Sequence, residues 1–287
     1  MDERAALAGL ADLLPGAGDD AAVVDDLVVT TDMLHAETDF PDGTTRYTAG
    51  WRAVGASLSD VAAMGAEALA AVAAYGAPDL EWDEVAAFVD GASDVCEAVD
   101  TSYVGGDLDR HGEFTAVTAA VGRTDAPVAR RGASQGEAVC VTGTLGRSGA
   151  ALRLFEAGDS GRANDLFRFQ PRVAAGRALA PHATAMMDSS DGLARSLHQL
   201  AEASGCGFAV ETPLPVDGAV DAVAPDDRLE LGAFFGEDFE LVCTLPGDTL
   251  DRAREAVPCA LTRIGTVTGS GVTLDGDPLP DRGYTHG

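Results

Sequence analysis

The sequence predicts a two-domain chain of mixed α/β (α+β) class. Strand-like and helix-like stretches interleave in both halves, as such domains require. The 287 residues leave room for two modest domains, and 46% hydrophobic residues supply core material for each. A polar connection, Arg130-Arg131-Gly132-Ala133, separates the halves and sets the boundary near residue 134, giving domains 1–134 and 135–287.

Residues 1–14 read as a short amphipathic helix. Ala21 to Met33 reads as two strands about an Asp25-Asp26 turn, with Leu27-Val28-Val29-Thr30-Thr31 strongly β-prone. From Tyr47 to Met64 the period becomes helical, with Val54, Leu58 and Val61 on one stripe. Trp82, Val85, Val89, Ala92, Cys96 and Val99 step by three and four, the spacing of a second amphipathic helix. Strands are expected near 101–105 and 113–122, and again at Ala138-Val139-Cys140-Val141. Beyond them come helices at about 148–157, 172–180 and 191–204, with strands near 184–188, 207–211, 238–244 and 262–267. Aromatic residues are only 6%, so Ala, Val and Leu fill most of the core.

The charge excludes several classes of function. There are 47 acidic residues against 19 basic ones, every basic residue is Arg, and the net charge is -28. Such a surface repels nucleic acid and anionic membranes, so neither is a partner. It suits high salt, where screening removes the mutual repulsion of hydrated carboxylates. Without lysine there is neither a Walker A loop nor a protein-kinase strand Lys. Any ATP must be held by Arg, backbone N–H groups and metal ions. No apolar run approaches the roughly 18–20 residues of a membrane span. Met1-Asp2-Glu3-Arg4 lacks the basic start of a signal peptide, so a cytoplasmic protein is expected. Cys96, Cys140, Cys206, Cys243 and Cys259 stand apart, the pattern of buried thiols rather than a disulfide framework or a zinc site.

Against this acidic background, several Asp residues fall at strand ends beside Gly, Thr or Ser. They occur in Gly18-Asp19-Asp20-Ala21, Thr30-Thr31-Asp32, Leu58-Ser59-Asp60, Gly105-Gly106-Asp107 and Asp188-Ser189-Ser190-Asp191-Gly192. Singly, each reads as a turn or cap, and Asp60, opposite the Val54/Leu58/Val61 stripe, reads as facing water. Together, carboxylates on several rigid strand ends suit magnesium, a hard ion that takes one or two carboxylates plus substrate phosphates. Such ions reconcile ATP with an acidic pocket. Gly105-Gly106 permits close approach of backbone to phosphate. The loop from Gly143 to Gly149 reads as a phosphate cradle or, preferably, as an ordinary strand-to-helix turn. Ser190-Asp191-Gly192 opens a helix with a Leu193, Leu197 and Leu200 stripe, where Ser or Asp suffices as a cap.

The ordered set of motifs resembles the thiamine-monophosphate kinases, of the aminoimidazole ribonucleotide synthetase-like superfamily. It comprises Gly18-Asp19-Asp20-Ala21-Ala22, Thr30-Thr31-Asp32-Met33-Leu34, Gly50-Trp51-Arg52-Ala53, and the run from Leu58-Ser59-Asp60 to Ala66. Gly105-Gly106-Asp107, Arg130 and Val141-Thr142-Gly143-Thr144-Leu145-Gly146 follow. The last are Asp188-Ser189-Ser190-Asp191-Gly192-Leu193, Gly236-Glu237-Asp238-Phe239-Glu240-Leu241 and Gly283-Tyr284-Thr285-His286. The resemblance implies the two-domain fold of that superfamily, with the N-terminal domains of two subunits forming a shared β-structure in a homodimer. It implies transfer of the ATP γ-phosphoryl group to thiamine phosphate, with several Mg2+ ions. By matching positions, Asp20, Thr30, Thr31, Asp32, Asp60, Asp107, Asp188 and Asp191 become magnesium ligands. Gly106, Asp107, Arg130 and Ser190 become ATP contacts, and Glu237 and Tyr284 touch thiamine phosphate.

Asp39-Phe40 stands where family members often carry His-Phe, so Asp39 either faces the thiazolium cation or has no role. Phe235-Gly236 replaces a frequent Gly-Gly. The acceptor is already an ionised phosphate oxygen, so no catalytic base is assigned; positioning and electrostatics carry the reaction. The alternatives are another ATP-dependent synthetase of the superfamily, or a non-catalytic halophilic nucleotide- or metal-binding protein.

Overall fold

The computed structural model describes residues 9, 10, 13, 14 and 17–284. The helix expected over residues 1–14 falls largely outside them, as do Thr285 and His286 of the terminal motif. Strands β1 (Ala22–Val24), β2 (Leu27–His35), β3 (Glu67–Ala77), β4 (Tyr103–Arg110) and β5 (Thr115–Arg123) form one sheet in the order β1-β2-β5-β3-β4. Only β3 and β4 pair in parallel, because the helix between them carries the chain back across the sheet. Strands β6 (Ala138–Thr142), β7 (Ala185–Asp188), β8 (Gly207–Val210), β9 (Leu241–Leu245), β10 (Leu261–Thr268), β11 (Val272–Leu274) and β12 (Asp277–Pro278) form a second sheet, in the order β12-β11-β8-β10-β6-β9-β7.

Helix α1 (Arg46–Ala63) lies between the sheets, touching β2, β3 and β5 on one side and β7 on the other. Fourteen of its 18 residues are buried, so it is not the one-sided amphipathic helix that its spacing suggests. Helix α2 (Trp82–Glu97) packs against it so closely that a Cβ on Gly50 would stand 2.0 Å from the Phe88 carbonyl oxygen. The buried stripe of α2 runs through Val85, Phe88, Ala92, Val95 and Cys96. Trp82 and Val89, expected on it, are exposed at its margin.

The second half adds α3 (Arg147–Glu156), α4 (Ser160–Phe167), α5 (Val173–Leu179), α6 (Leu193–Ser204), α7 (Gly218–Val223), a π turn at Glu230–Phe235 and α8 (Leu250–Ala256). The α6 stripe of Leu193, Leu197 and Leu200 is buried as its period requires. One core runs from Val54 and Leu58 of α1 to Met186 of β7 and Cys243 of β9, so the two sheets share it. All five cysteines are free. Among the described residues no helix is long and apolar enough to cross a membrane.

The outer face of the first sheet is different. Val29 and Met33 of β2 stand opposite Val121 and Val117 of β5, and Val72 of β3 stands opposite Ala119. Residues directly opposite in antiparallel strands share a face, so these form one apolar row. Val29, Met33 and Val72 are exposed on it.

Candidate active site

Three aspartates from remote stretches of chain meet where the sheets approach each other. Asp20 lies just before β1, Asp60 in the last turn of α1, and Asp188 at the end of β7. Each offers a carboxylate oxygen, and these oxygens lie within 4.8 Å of one another. Hydroxyl groups orient the carboxylates. Thr30 Oγ1 donates to Asp60 Oδ2 at 2.5 Å, and Ser59 Oγ to Asp188 Oδ2 at 2.6 Å. Asp32, on the same inner face of β2 as Thr30, accepts from Ser57 Oγ at 2.5 Å. Arg130 closes one side, with Nε 3.1 Å from Asp20 Oδ2 and Nη2 2.9 Å from Asp20 Oδ1.

Burial and crowding make the ionised cluster costly. Burial, with repulsion from Asp20, pushes the Asp188 carboxyl up to about 7 against the pull of Ser59. Burial raises Asp60 well above the carboxylate range, with Asp32, Asp188 and Asp20 adding repulsion. Asp32 is raised too, by burial and by Glu237. An all-oxygen donor set of converging carboxylates fits a hard divalent cation, whose charge offsets the repulsion. Asp60 therefore does not face water as its helical position suggests, because the end of β7 covers that side of α1.

At the other end, Glu237 follows Gly236 in a loop whose backbone N–H donates to the Ser190 carbonyl. Its Oε2 accepts from Arg52 Nη2 at 2.5 Å. Tyr284 is held at both ends, by its backbone N–H on Asp191 O at 3.1 Å and its hydroxyl on Thr38 O at 3.3 Å. Asp39 Oδ2 accepts from the His35 backbone N–H and from Thr38 Oγ1, closing the turn after β2 beside Tyr284's partner.

Other expected residues lie elsewhere. Strand alternation turns the Thr31 side chain to the outer face, where it donates to Thr118 O, so its hydroxyl does not join Thr30 and Asp32. Asp107 is exposed on edge strand β4 and stands outside the three-aspartate cluster of its own chain. Gly106 lacks a Cβ for a local reason: one would stand 1.7 Å from Ala73 O on the paired strand. The Gly143–Gly149 loop is an ordinary turn, because buried Asp238 takes the Gly146 and Ser148 N–H groups at the start of α3. Gly192, not Ser190 or Asp191, caps α6.

The residue-level reading of the sequence assigned no role to Ser57, Ser59 or Arg52. A helical Ser is common, and the one sequence signal for these three is that they lie on the same helix as Asp60.

Residues 18–124 match the family described as AIR synthase related protein, N-terminal domain, and residues 134–276 match its C-terminal domain. The chain is 63% identical to a thiamine-monophosphate kinase of Halobacterium salinarum across the whole of both chains. It is 42% identical to one of Methanospirillum hungatei, covering 91% of this chain and 88% of that one. Among solved structures it resembles AaThiL complexed with AMPPCP and TMP. The TM-score is 0.90 at 28% identity, over 99% of this chain and 97% of that one.

Proposed function

From the premise that the chain belongs to the AIR synthase related family and, within it, to the thiamine-monophosphate kinases, we propose that it transfers the ATP γ-phosphoryl group to thiamine phosphate, giving thiamine diphosphate and ADP. The observation that carries this is the convergence of Asp20, Asp60 and Asp188 beside Arg130, with Glu237 and Tyr284 at the same junction.

Asp20, Asp60 and Asp188, with Asp32, Thr30 and Asp191 nearby, would hold magnesium. Bound there, magnesium supplies charge neutralisation for the triphosphate and the transferring group. Arg130 and Ser190 contact ATP, and Glu237 and Tyr284 bind and orient the acceptor. No side chain acts as general base, since the attacking phosphate oxygen is already ionised. Residues 1–134 and 135–287 form the two domains, and the site lies where they meet.

The enzyme works as a homodimer. Exposed Val29, Met33 and Val72 give the first sheet a face suited to a second copy. Asp107 and Gly106, remote from the aspartates of their own chain, would serve the site from the partner. The composition, with no lysine and a net charge of -28, and the Halobacterium relative support a cytoplasmic enzyme from a halophilic archaeon.

The test uses purified protein in molar KCl with ATP, magnesium and thiamine phosphate. Stoichiometric ADP and thiamine diphosphate are expected. ATP hydrolysis without thiamine diphosphate would overturn the assignment.

A further inference from the structure

We propose that Arg52 is a positioning residue for the acceptor substrate and acts through Glu237. It fixes Oε2 so that Oε1 is presented to an N–H donor of the substrate, such as the amine of an aminopyrimidine. The inference rests on the acceptor named above.

Arg52 sits in the middle of α1, 1% exposed. Its Nη1 donates to Phe167 O at 2.5 Å and to Ser148 Oγ at 3.3 Å. Its Nη2 donates to Glu237 Oε2 at 2.5 Å and to Glu237 O at 3.4 Å. The guanidinium lies 3.6 Å from the Phe167 ring centroid, with Phe169 and Phe239 at 5.2 and 5.6 Å. Phe169 and Phe239 stack on each other at 4.1 Å. The side chain therefore has one orientation. Among the described residues Glu237 Oε1 accepts no hydrogen bond, whereas Oε2 accepts from Arg52.

Stability does not account for this arrangement. A buried ion pair is often no better than apolar side chains of the same volume. Here Arg52 Nε is also buried without a partner, which costs more. Gly236, Glu237 and Phe239 all have left-handed φ, at 84°, 62° and 54°, so the loop is held in a conformation that L side chains avoid. What this arrangement provides, and an apolar one does not, is a carboxylate held at a fixed angle. Helix α1 also carries Asp60 eight residues later, about 12 Å along the axis at 1.5 Å per residue. One rigid helix thus fixes the acceptor carboxylate relative to the phosphate end of the site.

The kinetics of the full-length enzyme and of Arg52→Lys, Glu237→Gln and the double variant test the proposal. Lysine keeps the charge but lacks the fork that reaches Phe167 O and Glu237 together. Arg52→Lys should raise KM for thiamine phosphate about 10-fold or more. It should leave KM for ATP within about 2-fold and kcat within about 3-fold, a split that general loosening of the fold does not produce. In the Glu237→Gln background the same change should add less than about 2-fold, because its route is already cut. Ser148→Ala is a milder probe of the same contact should the lysine variant fail to fold, and should raise KM for thiamine phosphate alone by about 3-fold. Equal effects on both substrates, multiplicative effects in the double variant, or no effect on thiamine phosphate would overturn the role of Arg52. A wild-type enzyme that ignores thiamine phosphate would overturn this proposal and the assigned reaction together.

Discussion

Ser59 Oγ donates to Asp188 Oδ2 at 2.6 Å, joining residues 129 positions apart. The bond ties the last turn of α1 to the end of β7, and so ties the first sheet's helix to the second sheet at the carboxylate cluster. Asp188→Asn should lower kcat at least about 100-fold with the fold intact, the cost of removing one electrostatic stabiliser. Ser59→Ala keeps the carboxylate but frees its orientation, so its loss should be smaller, about 10-fold. Steady-state rates with circular dichroism as the folding control check both.

Buried carboxyls, inside the cluster and beside it, also make stability depend on pH. Asp188 and Asp238 are both pushed up to about 7, burial being the main cause for each. A carboxyl raised in the folded state stabilises the fold below its ordinary value near 4, and that contribution disappears as pH rises through about 7. Thermal melts in chelator should therefore show Tm falling between pH 5 and 8. Magnesium should restore more stability at pH 8 than at pH 5, because the ionised form binds it. A magnesium gain that is larger at pH 5 would contradict the site.

The charge of -28 predicts a salt requirement. Self-repulsion opposes the compact state, and near 1 M salt the Debye length falls to about 3 Å. Tm should rise steadily across a KCl series. A flat series would remove the high-salt reading and leave the kinase reading untouched.

Tyr284 links two segments by its bonds to Asp191 and Thr38. Tyr284→Ala should raise KM for thiamine phosphate about 10-fold, an aromatic contact being worth about 0.5–1.5 kcal/mol beyond its buried area. KM for ATP should stay nearly unchanged. Equal shifts in both would mean that the ring serves only to anchor the chain end.

Val121 lies in the apolar row on β5, between β2 and β3 and opposite Val29. Val121→Asp places a charge there, and should convert the proposed dimer to a monomer by light scattering and abolish turnover. A fully active monomer would show that Asp107 has no role from a partner chain.

Local pattern made much of this protein legible. The two strands about Asp25-Asp26, the helix from Trp82, and the Leu193/Leu197/Leu200 stripe are set by side-chain period and turn chemistry, which act over a few residues. The fold and the reaction were legible through the motifs as an ordered set. Helical spacing alone left Asp60 facing water and put Trp82 on the buried stripe, because spacing gives a direction but not what lies along it; only the motif set pointed Asp60 to the metal site. The end of β7 covers Asp60, whereas Trp82 is exposed among the described residues.

The sequence by itself determined the acidic surface, the absence of lysine, the set of aspartates available and many of the elements, but its pattern did not announce strand β3 or helices α4, α7 and α8. Tertiary structure decided which of those aspartates meet. Asp20, Asp60 and Asp188 converge only because α1 is pinned between two sheets, and Thr31 and Asp107 are left out by strand alternation and edge position. It also decided that Arg52, unassigned at the level of residues, holds Glu237. The reason is physical: periodicity fixes which way a side chain leaves its own element, whereas a site needs atoms from several elements within a few ångströms. That distance is set by packing between residues more than a hundred positions apart.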